Sequence, residues 1–60
     1  MSEGVRLREM LRCAERELAL RRWVYPKQIA RQNMDENTAN REIRLMQDIV
    51  NYLRRDLEAP

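Results

Sequence analysis

Few residues of this 60-residue chain could do chemistry, and none lies in a pattern that a reaction requires. The single cysteine, Cys13, could act as a nucleophile only beside a base, and the chain contains no histidine. Glu42 and Asp48 could in principle form an acid–base pair, but a chain of this length encloses no cleft that would hold them against a substrate. We therefore expect no catalytic residue, no cofactor and no small-molecule substrate, and we predict that the protein is not an enzyme.

Metal and disulfide chemistry are not expected from this composition either. A lone thiol cannot form a disulfide within the chain, and without histidine it cannot complete a closed zinc site. Small domains without these devices are marginal, because a core of this size rarely supplies more than about 3–5 kcal/mol. We therefore expect the chain to associate with a second copy of itself or with an obligate partner.

One segment combines positive charge with aromatic rings. No acidic residue occurs between Leu18 and Met34, and the cations and aromatic residues of this basic segment are the candidate partner-binding residues: Arg21, Arg22, Trp23, Tyr25, Lys27 and Arg31. Such a mixture is typical of protein-binding hot spots, and it also suits phosphate pairing and base stacking on nucleic acid. A third interpretation is structural: the aromatic residues and their apolar neighbours close one end of the fold while the cations are solvated. The sequence is compatible with all three.

Two apolar stripes with heptad spacing indicate the elements that position these residues. The first stripe comprises Leu7, Met10, Leu11, Ala14, Leu18 and Tyr25, and the second comprises Ala39, Ile43, Met46, Val50, Leu53 and Leu57. Steps of three and four keep one face of a helix turned towards a partner helix, so the stripes predict an all-α antiparallel helical hairpin. The predicted helices span about residues 3–23 and 36–57, with Ser2 and Asp35 as their N-caps.

Pro26 predicts a break between the two helices. Proline disfavours helical geometry at the preceding residue and fits the first turn of a new helix, so a short helical segment is expected over about residues 26–32. Asn33 is expected to take the left-handed conformation that ends this segment. Residues 1–60 would then form a single helical-hairpin domain.

The second helix carries more apolar surface than one helix–helix contact needs. Leu45, Ile49 and Tyr52 form a second stripe beside the first, again with steps of four and three. We interpret these three residues as a homodimer interface that completes a four-helix bundle. Two alternatives are that the segment after Pro26 folds back over the stripe, or that another protein covers it.

Hydropathy and cysteine content indicate a cytoplasmic setting, and the charge is unevenly placed. The net charge of +2 is unevenly distributed, because residues 1–32 carry eight basic and four acidic side chains. No apolar run approaches the ~20 residues that span a bilayer, and no signal-peptide core is present. We expect no membrane partner, and a lone thiol suits a reducing compartment.

Part of the chain resembles a family of small, uncharacterised proteins encoded by phages and prophages. The resemblance lies in residues 16–26, RELALRRWVYP, followed by Met34, Ala39, Arg41-Glu42-Ile43 and Met46. In that family an arginine-rich helix ends in a Val-Tyr-Pro elbow, and a Gly-x-Met-Thr-like turn opens a second helix. Here Asn33 replaces the usual glycine and Asp35 the usual threonine. The resemblance implies a viral or prophage setting and no particular activity.

We therefore predict a non-enzymatic interaction protein that docks a host or phage protein through the basic segment. The alternative is a small nucleic-acid-binding dimer in which the same cations track phosphates. A third possibility is that the hairpin is only an oligomerisation element. Substitution of Arg21 and Arg22 would then leave the biological phenotype intact.

Overall fold

The computed structural model describes residues 2–59 and contains two helices, α1 (Glu3–Ala30) and α2 (Glu36–Glu58). Met1 and Pro60, the ends of the predicted domain, lie outside the described residues. The two helices are antiparallel: Glu15 bonds Arg54, whereas Arg22, later in α1, bonds Gln47, which is earlier in α2. The predicted all-α hairpin is thus confirmed, and the part of the chain described contains no strand. Across residues 2–59, neither helix is apolar enough over a sufficient length to cross a membrane.

Both predicted N-caps are confirmed. The Ser2 hydroxyl accepts a hydrogen bond from the Val5 amide at 3.3 Å, and the Asp35 carboxylate accepts one from the Thr38 amide at 3.1 Å. Each bond satisfies an amide that would otherwise lack a partner at the start of its helix. Glu3 and Glu36 add negative charge in the two first turns, which suits the positive end of the helix dipole.

The predicted break at Pro26 is wrong, because α1 continues through the proline to Ala30. The core-facing stripe of α1 continues in phase beyond Leu18 to the half-buried Tyr25 and Ile29, at steps of seven and four. Packing of these residues outweighs the local preference against a helix before proline. Residues 26–30 of the separate segment expected over residues 26–32 therefore belong to the 28-residue α1, and the last two residues of that segment follow the helix end.

The left-handed residue that ends α1 is Gln32, with φ of 61°, rather than Asn33 as predicted. The Gln32 amide donates to the Ile29 carbonyl and the Asn33 amide to the Gln28 carbonyl, each at 2.9 Å. These two bonds form a Schellman motif, which requires its left-handed residue one position after the helix cap Arg31. The longer α1 fixes that position, so Gln32 adopts this conformation although asparagine tolerates it better.

The core lies along the seam between the helices. Its buried members are Ala14, Leu18, Val50 and Leu53, and Leu7, Leu11, Ile43 and Met46 pack against them. Ala39 is fully buried near the start of α2. Both predicted stripes therefore supply the core. Tyr25 and Leu57 are only half-buried, and Met10, placed in the first stripe, is 46% exposed. Met10 lies one position before Leu11, and this rotation turns its side chain to the flank of α1.

Candidate interaction surfaces

The hairpin has two side faces, and one of them is polar and closed by bonds between the helices. Arg54 donates a hydrogen bond to the Glu15 carboxylate at 2.8 Å, and Arg22 donates one to the side-chain oxygen of Gln47 at 2.6 Å. Gln47 in turn donates to the Asn51 side chain at 2.9 Å. We call this surface the polar side face. Its polar side chains bridge the two helices.

The opposite side face is apolar and open. A shallow groove between the helices on this side is lined by Met10, Cys13, Glu17 and Ile49, together with flanking core residues. A second hollow on α1 places Leu20 beside Glu17. Leu45 and Tyr52 lie four residues before and three after Ile49, and therefore share its side of α2. The exposed residues that define this apolar side face are Met10, Cys13, Leu20, Leu45, Ile49 and Tyr52.

Sequence reasoning identified only the α2 half of the apolar side face. The predicted interface residues Leu45, Ile49 and Tyr52 are all exposed large hydrophobic side chains. That reasoning does not identify the α1 half, because it places Met10 in the core and assigns Cys13 and Leu20 to no surface. The signal that could have found it is the run 10, 13, 17, 20, with steps of three and four on one flank of the core stripe.

The acidic residue on the apolar side face is neutralised by Arg21. The Arg21 guanidinium donates from Nε to the Glu17 carboxylate at 3.0 Å and from Nη1 to the Glu42 backbone carbonyl at 3.0 Å. The Glu42 carboxylate lies 3.8 Å from the same Nη1. Because Arg21 joins α1 to α2 and pairs Glu17, the charge at the edge of this face already has a partner.

The structure divides the six predicted partner-binding residues into two groups. Arg21 and Arg22, adjacent in sequence, turn to opposite side faces and bond α2 residues. Tyr25 is half-buried against the seam, as the structural interpretation required. Trp23, by contrast, is 66% exposed and does not close the end of the fold. Lys27 and Arg31 are exposed as well. Arg22 is also exposed but bonds Gln47, so the exposed residues of the six for which no bond to α2 is formed within residues 2–59 are Trp23, Lys27 and Arg31.

Trp23 and Lys27 form a cation–aromatic pair on the outer surface of α1. The Lys27 Nζ lies 4.0 Å from the centroid of the indole ring, a geometry in which the ammonium is attracted to the ring face. The two residues are one helical turn apart, so the continuous helix through Pro26 brings them together. The pair orients the largest exposed apolar side chain of α1 without burying it.

Within residues 2–59, no three histidine, cysteine, aspartate or glutamate side chains cluster as metal ligands would. Comparison with known proteins gives no further assignment: no family model, no curated protein and no solved structure matches this chain. The resemblance to small phage and prophage proteins therefore stays a prediction.

Proposed function

We propose that the protein is a small, non-enzymatic interaction protein that forms a homodimer through its apolar side face and docks a second protein. One observation supports this most strongly: the polar side face is closed by bonds, whereas the apolar side face carries five of the large exposed hydrophobic residues. Monomeric proteins rarely expose a contiguous patch of this kind. A cytoplasmic location belongs to the same proposal.

The dimensions of the hairpin support a second copy as the occupant of that face. The Cα atoms span 44 × 17 × 11 Å, so the hairpin is a flat slab whose side faces are its broad surfaces. A broad face of this outline covers about 750 Å², close to the ~800 Å² that each partner buries in a standard interface. Two slabs stacked on their apolar side faces give a four-helix bundle, which buries the surface that one hairpin leaves exposed.

The dimer is tested by placing a charge at the centre of the apolar side face. Ile49→Asp would bury an unpaired carboxylate in the interface and should convert the dimer to a monomer with reduced helix content. Asn51→Asp is the matched control, since it adds the same charge two residues away, on the polar side of α2. Sedimentation at micromolar concentration separates the two outcomes. An Ile49→Asp protein that sediments like Asn51→Asp, as a dimer, excludes this face as the interface.

The docking surface for a second protein is proposed around Trp23. This side chain is exposed, and it belongs neither to the core nor to the apolar side face, so the proposed dimer would leave it accessible. Tryptophan and arginine dominate the energetics of protein interfaces, and Arg31 is exposed eight residues further on, at the end of α1. If the resemblance to phage proteins holds, the partner is a host factor or another phage protein. A rigid hairpin lowers the ordering cost that weakens many small binders.

An affinity capture from nuclease-treated bacterial lysate tests this docking. We expect one protein in near-stoichiometric amount with the wild-type bait, and its loss with Trp23→Ala. Asn51→Ala, which also truncates an exposed side chain but on α2, should retain it. Retention of the same protein by Trp23→Ala would place the docking surface elsewhere.

Nucleic acid is the second candidate partner, favoured by the absence of acidic residues between Leu18 and Met34. Binding through phosphates would weaken steeply with salt, because each neutralised phosphate releases counterions. Capture that disappears on nuclease treatment, with no protein retained, would place this candidate first.

A further inference from the structure

Two large exposed hydrophobic residues are left over when the apolar side face is covered. They are Val5, which is 39% exposed, and Trp23, which is 66% exposed. Both lie on α1, separated by 18 positions or five full turns, so they point in the same direction about 27 Å apart. Neither the hairpin core nor the proposed dimer explains them.

Three cations lie on the same line of α1 as these two residues. Arg12, Arg16 and Lys27 extend the series from Val5 and Trp23 with steps of seven and four, which keep side chains on one helix face. Arg16, Trp23 and Lys27 each come nine residues, or two and a half turns, after a core-facing residue of α1, and therefore point directly away from α2. We call Val5, Arg12, Arg16, Trp23 and Lys27 the outer stripe. Leu20, four residues after Arg16, lies at its border with the apolar side face.

Among residues 2–59, no acidic side chain lies within ion-pair distance of Arg12, Arg16 or Lys27. Arg12 and Arg16 are exposed, one turn apart, and the nearby carboxylates Glu15 and Glu17 pair with Arg54 and Arg21. Glu9, four residues after Val5 and three before Arg12, lies on the same face, so the positive charge of the stripe is confined to the length between Arg12 and Lys27. That length is about 22 Å, enough for four turns of a helix lying alongside.

We propose that the outer stripe binds an acidic amphipathic segment of another protein, laid along α1. The inference rests on the proposed docking function and names the chemistry of the partner. Carboxylates four residues apart would pair with Arg12 and Arg16, and apolar side chains would contact Trp23 at one end and Val5 at the other. A protein segment fits better than a nucleic acid, because Lys27 already occupies one face of the Trp23 ring on which a base would stack.

Trp23 is the only tryptophan in the chain, so its fluorescence reports directly on the outer stripe. The probe is a synthetic helical peptide of about 24 residues, whose length of about 36 Å at ~1.5 Å per residue spans the stripe from Val5 to Lys27. It carries glutamates at positions i and i+4 and a leucine towards each end. The comparison probes are the same peptide with glutamine for glutamate, and a single-stranded oligonucleotide of about 20 nucleotides.

We expect the acidic peptide to shift Trp23 emission to shorter wavelength and the glutamine peptide to bind more weakly. Arg16→Glu should weaken the acidic peptide roughly three- to tenfold, since it replaces an attraction with a repulsion. Arg44→Glu, the same change at an exposed position of α2, should alter binding by less than about twofold. Circular dichroism confirms that both variants keep the wild-type helix content.

Three results would overturn the inference: an emission spectrum that does not respond, equal weakening by Arg44→Glu and Arg16→Glu, or tighter binding of the oligonucleotide at the same salt concentration. None of these three results bears on the proposed dimer. Sedimentation and the Ile49→Asp comparison report on the proposed function independently, so a failure of the outer stripe is distinguishable from a failure of that function.

Discussion

Replacing Pro26 with alanine should stabilise the protein, and the size of the effect follows from the position of this residue inside α1. Proline cannot donate the hydrogen bond that the Arg22 carbonyl would receive from position 26, and its ring crowds the same carbonyl. An interior proline costs about 3 kcal/mol relative to alanine. Alanine returns about 0.4–1 kcal/mol of this by enlarging the conformational freedom of the unfolded chain. Because Pro26 is exposed, little packing is lost, and we expect a net gain of about 2 kcal/mol in the free energy of unfolding.

Thermal unfolding followed by circular dichroism measures this gain. For a domain of this size 1 kcal/mol raises Tm by about 4–8 °C, so Pro26→Ala should melt roughly 8–16 °C above the wild type. Samples must be compared at one protein concentration, since association couples stability to concentration. Arg12→Ala, at an exposed position of the same helix, is the control and should stay within about 0.5 kcal/mol of the wild type. If the chain instead broke at Pro26, the proline would occupy the favourable first position of a new segment, and alanine would leave the Tm unchanged or lower it.

Three further substitutions test the packing of the hairpin. Gln32→Gly should raise the free energy of unfolding by about 1 kcal/mol in urea titrations, because glycine adopts the left-handed φ of 61° without strain. A lower free energy of unfolding would contradict the Schellman geometry. Val50→Asp buries an unpaired charge at a position that is 1% exposed, so the circular dichroism of this variant should show an unfolded chain. A fully helical spectrum would refute the register of the seam between the helices. Arg21→Met keeps the apolar stem but loses the bonds to Glu17 and to the Glu42 carbonyl, which should lower the free energy of unfolding by about 1 kcal/mol in the same titrations. An unchanged free energy of unfolding would show that this bridge is not formed in solution.

The seam and the caps could be predicted from sequence because periodicity and short-range chemistry determine them. Leu18 and Val50 repeat in phase with their stripes, and a helix can bury only one such phase against a partner. Ser2 and Asp35 act on amides three residues away, so their role depends on no distant contact. These features need no knowledge of the tertiary structure.

The candidate surfaces could be predicted only in part, because they depend on where α1 ends. If the helix broke at Pro26, Lys27 would no longer lie on the same helix face as Arg12 and Arg16, and the outer stripe would not exist. The continuation of α1 is decided by tertiary packing, which local rules for proline do not include. Likewise, nothing in the types of Arg21 and Arg22 reveals that they bond α2 on opposite sides of the hairpin.

Sedimentation equilibrium of the unmodified protein, over a range of concentrations, tests the proposed dimer most directly. The chain has a mass of 7.3 kDa, and we expect twice that mass at micromolar concentration, with dissociation and loss of helix on dilution. A fully helical species that keeps the mass of one chain at every concentration would contradict the proposal that a second copy covers the apolar side face.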